Sequence, residues 1–102
     1  MGIVARASAT IGAKNIGVTI PGNMVIMVFR PDFAVRMLKA SVPAGIEAPL
    51  RFYVTENDDG SASLTYRPPS SVFAPYDSPD LNRLAGEIDI MFEKFVRDAL
   101  IP

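Results

Sequence analysis

The apolar residues in the C-terminal part of the chain repeat with the spacing of an α-helix. Ser78 and Pro79 favour the N-cap and the first position of a helix. After them an apolar face continues for about five turns, at Leu81, Leu84, Ala85, Ile88, Met91, Phe92, Phe95, Val96 and Ala99. Similar spacing follows Pro31, at Phe33, Ala34, Met37, Leu38 and Val42. The sequence therefore predicts two main helices, over residues 31–41 and 79–99.

Charged residues occupy the other side of the second predicted helix. Arg83 with Glu87, and Glu93 with Arg97, are four residues apart and are expected to pair on the solvent-exposed face. Together with Asp89, these carboxylates are interpreted as solvated charges without a catalytic role.

Four shorter segments have the composition of β-strands. Residues 2–8 form the first, followed by a brief helical turn that Gly17 ends. The second is the apolar run Met24-Val25-Ile26-Met27-Val28-Phe29, which follows a turn where Gly22 is expected to have a positive φ. A run this short favours a strand buried on both faces over a helix. Residues 50–55 and 62–67 complete the set, and the Pro-rich residues 68–77 connect them to the last helix.

The last two strands form a hairpin whose register decides which side chains share a face. A two-residue loop, Asp58-Asp59, would mix apolar and polar residues on each face. A three-residue loop that includes a left-handed Gly60 separates them. It pairs Phe52 with Tyr66, Val54 with Leu64, Arg51 with Arg67, Tyr53 with Thr65, and Thr55 with Ser63. We predict this register and a core that contains Phe52, Val54, Leu64, Tyr66, Leu84, Ile88, Phe92 and Phe95.

Arg51 and Arg67 carry like charges and are predicted to lie opposite each other, which destabilises a strand pair unless something offsets the repulsion. Beside Tyr53 and Thr65, two guanidinium groups could bind a carboxylate or phosphate. These four residues are the candidate ligand site of the sequence. The alternative, in which both arginines extend into water or pair with a carboxylate of a partner chain, is favoured because exposed charges usually contribute little.

The sequence contains no histidine and no cysteine, which removes most routes to catalysis at neutral pH. Nucleophile pairs with histidine, disulfides and the usual zinc sites are excluded. The acidic segment around Asp58 and Asp59 lacks calcium-loop spacing and fits a hairpin turn. We therefore expect no metal and no cofactor. Among three classes of function, we rank an enzyme last, after an assembly module and a ligand-binding domain.

Length and charge limit the partners further. The 102 residues fit one domain, residues 1–102, and a net charge of −1 without a basic stripe argues against nucleic acid. No apolar stretch is long enough to span a membrane, and residues 1–6 do not resemble a signal peptide. A cytoplasmic location is the default expectation, with export still possible if a longer start is missing.

The apolar run from Met24 to Phe29 predicts self-association. Two helices can cover one face of the sheet, so one alternate set of its side chains would remain exposed on the other face. Monomers rarely leave large contiguous apolar patches uncovered. We therefore expect a homodimer with this stripe, and an unpaired sheet edge, at the interface. The interface candidates are Met24, Val25, Ile26, Met27, Val28 and Phe29.

Several motifs resemble a bacterial family known as domain of unknown function 302. They are Gly12-Ala13-Lys14-Asn15-Ile16-Gly17-Val18-Thr19-Ile20-Pro21, Phe29-Arg30-Pro31, Ala48-Pro49-Leu50-Arg51, the Asp58-Asp59-Gly60 hairpin, Tyr66 and the long final helix. The resemblance implies a TATA-binding-protein-like α+β fold, with a curved antiparallel sheet of about four strands and two main helices on one face. It also implies that this chain lacks the N-terminal strand and helix of the family.

Two departures weaken any transfer of a polar site from that family. Its Asp-His pair is replaced by Ser8 and Ala9, and its Gly-Asn-Pro by Phe29-Arg30-Pro31. Our first hypothesis is accordingly a small homo-oligomeric interaction or assembly module without catalysis. The second is a binder of a small anionic or apolar ligand on the open sheet face near Arg51 and Arg67.

Overall fold

The computed structural model describes residues 1–100, and for Leu100 the backbone alone. It has an α+β fold with one open sheet of four antiparallel strands in the order β1-β2-β3-β4. The strands are β1 (Gly2–Ser8), β2 (Asn23–Phe29), β3 (Leu50–Glu56) and β4 (Ala62–Thr65). The helices are α1 (Ala9–Asn15), α2 (Pro31–Ala40), α3 (Pro69–Phe73) and α4 (Pro79–Leu100), with short 3₁₀ helices at Pro43–Glu47 and Ala74–Tyr76.

The backbone contacts divide the chain into two compact units. The first contains residues 1–28 and 51–66, and therefore α1 and most of the sheet. The second contains residues 29–50 and the described residues from 67 to 100, and therefore α2, α3 and α4. The two main predicted helices correspond to α2 and α4, the longest helices of the described residues.

The hairpin of the first unit has the predicted register. Tyr53 lies opposite Thr65, and Val54 lies opposite Leu64. The Gly60 N–H donates to the carbonyl of Asn57 at 2.9 Å, which closes the turn. Gly60 has φ of 84°, as the three-residue loop requires. One strand is shorter than predicted, because β4 ends at Thr65 instead of residue 67.

The left-handed conformation of Gly60 leads to a stability prediction. Gly60→Val should lower the free energy of unfolding by about 1–2 kcal/mol, because a β-branched residue is strained at positive φ. The space around a Cβ at this position is open, so a steric clash makes no contribution. Urea denaturation measures the loss. Gly60→Asn is the control, since asparagine tolerates this conformation, and an equal loss in both variants would contradict the explanation.

Burial in the hairpin follows the predicted faces with one exception. Phe52 is buried and Val54 is half-buried, whereas Arg51 is exposed, so the assignment of the two faces is confirmed. The Phe52 and Tyr66 rings lie 5.3 Å apart between centroids. Leu64 is 38% exposed, so its placement in the core was wrong. It belongs to β4, which is an edge strand and has a neighbour on one side only.

Helix α1 ends at the predicted glycine, but the turn after it differs from the expectation. The Ser8 hydroxyl accepts the Ile11 N–H at 3.2 Å, and Gly17 ends the helix with φ of 81°. Gly22 was expected to have a positive φ, and it does not. Its N–H instead donates to Glu56 Oε1 at 2.8 Å, and a Cβ there would lie 3.3 Å from Glu56 Cβ. Glycine at this position allows close approach to β3.

The second unit is built around the apolar face of α4. Most of the fully or nearly fully buried side chains of the described chain lie in this unit, namely Phe33, Met37, Ala44, Leu50, Phe73, Leu81, Leu84, Ala85, Ile88 and Phe92. The Ser78 hydroxyl accepts the Leu81 N–H at 3.2 Å, which confirms the predicted cap of α4. Phe95, a predicted core residue, is only half-buried.

The Pro-rich connection before α4 contains a helix that the sequence did not predict. Residues Pro69–Phe73 form α3, and Phe73 is almost completely buried. Pro69 occupies the first helical position, where a missing N–H has no cost. Two prolines in succession suggested an irregular linker, but they are compatible with a helix that starts at the second one.

Two carboxylates of α4 bind other elements of the second unit. Glu87, expected to pair with Arg83 in the same helix, makes a bidentate pair with Arg36 of α2 at 3.1 and 2.5 Å. Hydrogen bonding to Arg36 lowers the pKa of Glu87. Arg83 pairs with Asp80 at 3.1 Å instead. Asp89, interpreted as a solvated charge, is half-buried and accepts the Ser70 N–H of α3 at 3.0 Å.

Candidate functional site

Strand β1 forms one edge of the sheet and is open along its length. In the strand order it has β2 on one side and no described strand on the other. All of its residues from Gly2 to Ala7 are exposed, and Ile3 and Val4 are each 52% exposed. Alternate residues of an antiparallel strand direct their N–H and C=O groups to opposite sides. About half of the backbone groups of β1 are therefore available to another strand.

The two edges of the sheet differ in how well they resist pairing with another strand. Strand β4 has only four residues and follows the acidic turn. Three of its residues, Ala62, Ser63 and Thr65, are small or polar. Strand β1 has seven residues, contains no proline, and carries Arg6 as its single charge. Short strands, prolines and charges protect natural edges. Neither strand contains a proline, so the difference lies in length: the seven-residue β1 is the less protected edge, with Arg6 as its one protecting charge.

The predicted interface residues lie on β2, which is an interior strand between β1 and β3. Met24, Val25, Ile26, Met27 and Phe29 are half-buried, and Val28 is buried. The Asn23 amide donates to the Tyr53 hydroxyl, which places these two residues on one face of the sheet. Because side chains alternate along a strand, Val25 and Met27 share that face, and the other set lies on the face of Val54.

The four predicted ligand residues are only partly brought together. Tyr53 and Thr65 lie opposite each other, and Arg51 lies two residues from Tyr53 on the same face of β3. Arg67 lies beyond the end of β4 and belongs to the second unit. The described β3–β4 ladder does not contain the predicted pair of arginines. Both arginines are exposed, and the Tyr53 hydroxyl is bonded to Asn23.

An open apolar pocket of about 450 Å³ lies in the first unit. Its walls come from α1, from β2, from the end of β3 and from the hairpin turn with the start of β4. The apolar lining residues are Ile11, Met24, Ile26, Val54 and Ala62. The polar lining residues, together called the rim below, are Ser8, Thr10, Asn23, Thr55, Glu56 and Ser61, and Gly22 and Gly60 complete the lining. The volume is in the range of small-ligand sites.

The polar side chains of the pocket hold its elements together. The Thr10 hydroxyl donates to the Pro21 carbonyl at 2.9 Å and accepts the Asn23 N–H at 2.7 Å, which ties α1 to the start of β2. Glu56 Oε1 accepts the Gly22 N–H, and the Gly22 carbonyl accepts the Glu56 N–H at 2.9 Å. These groups position the pocket wall, so the surface left for a ligand is largely apolar.

The hairpin turn beside the pocket carries a carboxylate that bonds to a lining residue. Asp59 accepts both the N–H and the hydroxyl of Ser61, a lining residue, at 3.0 and 2.5 Å. Hydrogen bonding to the Ser61 side chain, and then to its N–H, lowers the pKa of Asp59, so this carboxylate is ionised at neutral pH. Within residues 1–100, no three carboxylates are grouped as a metal site would require.

Sequence reasoning did not find this pocket. Its lining residues come from segments up to about 50 positions apart, and each has an ordinary local explanation as a cap, strand or turn residue. A partial signal was the glycine at position 22, because glycine occurs at close approaches of the backbone to another segment as well as at positive φ.

Nearly the whole described chain corresponds to one family. Residues 1–99 match the model of a domain of unknown function, DUF302. The chain belongs to the DUF302 family. The resemblance seen in the sequence motifs is thereby confirmed. No curated protein matches the sequence. Along the described part of this DUF302 domain, no helix is both long and apolar enough to cross a membrane.

A solved structure has a similar fold. A crystal structure of an uncharacterized conserved protein DUF302 from Bacillus stearothermophilus superposes with a TM-score of 0.75 at 20% sequence identity. The match covers 86% of this chain and 69% of that chain. At this identity the likeness shows the fold of the DUF302 domain alone.

One departure from the family motifs has a structural role here. Arg30, within the Phe29-Arg30-Pro31 segment, lies 4.3 Å from the centroid of the Phe33 ring. Its Nε also donates to Asp32 Oδ1 at 2.7 Å. Arg30 therefore packs at the start of α2, where the family motif has a small polar residue.

Proposed function

We propose that this DUF302 domain is a self-associating module in which β1 of one copy pairs with β1 of a second copy. The observation that carries the proposal is the exposed edge of β1, which offers unpaired backbone groups beside exposed Ile3 and Val4. A protein of this kind works through assembly and needs no convergent catalytic group.

A second copy is a suitable partner because antiparallel pairing of a strand with itself is self-complementary. A two-fold axis through Ala5 would place Val4 opposite Arg6 of the other copy and Ile3 opposite its Ala7. The like charges at Arg6 would then be separated by two residue positions across the axis, so pairing does not place them directly opposite. The result would be one sheet of eight strands across two copies.

The proposed contact is on β1, whereas the sequence predicted an interface at the apolar stripe of the neighbouring strand β2. Since β2 is interior, its side chains Val25 and Met27 would extend the apolar surface next to a β1 edge contact. The second hypothesis, an anion on the sheet face near Arg51, has less support because Tyr53 is engaged by Asn23 and Arg67 lies outside the ladder.

The test is a pair of matched substitutions that add a charge to an exposed isoleucine. Ile3→Lys on β1 should convert the dimer to a monomer, because a lysine on an edge strand replaces an apolar side chain of the contact by a charge that pairing would partly remove from water. Ile46→Lys, at an isoleucine of the second unit that is 81% exposed, should leave the dimer intact. Light scattering coupled to size exclusion should give about twice 11.0 kDa for the wild type and for the control.

Hydrogen exchange provides a second readout that assigns the contact to β1. The outward amides of Gly2–Ser8 should exchange slowly in the wild type and quickly in Ile3→Lys. A monomeric wild type at high micromolar concentration would refute the proposal. A dimer that survives Ile3→Lys with unprotected β1 amides would also refute it.

A further inference from the structure

We propose that the apolar pocket between α1, β2 and the hairpin binds a small amphiphilic amine, with its apolar body inside and its ammonium group at the rim. The proposal rests on three properties of the site: its volume, the chemistry of its walls and the sign of its charges. It is independent of self-association through β1.

The volume and the walls select an apolar body of modest size. About 450 Å³ accommodates a phenyl ring with a short alkyl chain. Three lining residues, Met24, Ile26 and Val54, are half-buried apolar side chains on the same face of the sheet. Methionine adapts its shape to irregular ligands. Burial of apolar ligand surface against these side chains provides the favourable free energy of binding.

The polar residues of the lining offer no positive charge to an anion. The Thr10 hydroxyl already donates to the Pro21 carbonyl. The Ser61 hydroxyl donates to Asp59. No lysine or arginine lines the pocket within the described chain. A carboxylate or phosphate ligand would therefore lack a partner for its charge.

The charge at the rim has the opposite sign. Glu56 is the one charged lining residue of the described pocket, and its Oε1 is directed towards Gly22 by the Gly22 N–H. Asp59, held as an anion by Ser61, and its neighbour Asp58 lie in the adjoining turn. A cation at the rim would lie near the Glu56 carboxylate, with no competing basic side chain in the lining. Charge complementarity thus selects an amine over an acid of the same shape.

Three probes of one shape and different charge test the inference. Phenylbutylamine, phenylbutanol and phenylbutanoate are titrated into the full chain and followed by backbone amide shifts in NMR spectra. The amine should bind about tenfold more tightly than the acid at low salt, with the alcohol between them. The largest shifts should occur at Ile26, Val54 and Ala62. The preference should decrease at about 1 M salt.

Two variants separate the charge from the cavity. Glu56→Gln keeps an oxygen acceptor for the Gly22 N–H but removes the charge, and should weaken the amine about fivefold with little effect on the alcohol. Ala62→Trp, at an exposed position of the wall, should fill the pocket and weaken all three probes. Asp58→Asn provides a second charge variant if Glu56→Gln does not fold, and Glu93→Gln on α4 is the charge control.

The outcomes either support or overturn the inference. Shifts at the pocket with the order amine, alcohol, acid support it. No saturable binding of any probe, shifts elsewhere, or an acid that binds as tightly as the amine would overturn it. Binding that is unchanged in both Glu56→Gln and Asp58→Asn would overturn the role of the rim charge. The titration is repeated in Ile3→Lys to distinguish ligand binding from self-association. Because the pocket lies within one copy, this variant should bind the amine as tightly as the wild type does.

Discussion

Phe92→Ala is expected to lower the free energy of unfolding by about 3–5 kcal/mol. Phe92 is 0% exposed and lies on α4, whose apolar face forms the core of the second unit. Truncation to alanine removes the transfer free energy of the ring and leaves a cavity that close-packed neighbours fill only in part. For a domain with typical marginal stability, this loss is a large fraction of the total.

Phe95→Ala is the matched control for this prediction. Phe95 lies on the same helix, its ring centroid is 6.2 Å from that of Phe92, and its side chain is half-buried. Both variants replace the same residue type at an interior position of α4, so differences in helix propensity cancel. Urea denaturation should show a clearly smaller loss for Phe95→Ala. Equal losses would show that burial does not decide the contribution of these two rings.

The elements that the sequence predicts best are those fixed by local rules. The long apolar repeat, the Ser78 cap and Pro79 determine α4 from residues close together in the chain. The hairpin register follows because a shift by one residue would move every side chain to the other face. Gly60 then has to be left-handed, and it is.

The contacts that the sequence does not predict join residues far apart in the chain. Arg36 and Glu87 are separated by 51 positions, and Gly22 and Glu56 by 34. A carboxylate at Glu87 has an acceptable local partner in Arg83, so the sequence alone favours the wrong pair. The same reason explains why the pocket was missed: each lining residue also fits a local structural role. Only the packing of α1 on the strands shows that these residues share a cavity.

Asp89 illustrates a surface charge in the sequence that is a structural group in the fold. Pro68 and Pro69 have no N–H, so Ser70 provides the first N–H of α3. An N–H at the start of a helix lacks a partner within that helix. The Asp89 carboxylate of α4 accepts it at 3.0 Å in a partly buried position. This contact fixes the start of α3, which carries the buried Phe73 into the second unit.

Asp89→Ala should therefore lower the free energy of unfolding by about 1.5–3 kcal/mol, the range for a hydrogen bond to a charged group. Asp89→Asn retains an oxygen acceptor and should lose less. Asp98→Ala, an exposed aspartate near the C-terminal end of α4, should change stability by at most about 0.5 kcal/mol. Urea denaturation gives all three values, and hydrogen exchange should show faster exchange of the Ser70 amide in Asp89→Ala. Equal stability of Asp89→Ala and Asp98→Ala, together with unchanged exchange of the Ser70 amide, would contradict this role of Asp89. Asp89 would then be a solvated charge, and the burial of Phe73 alone would have to stabilise the position of α3.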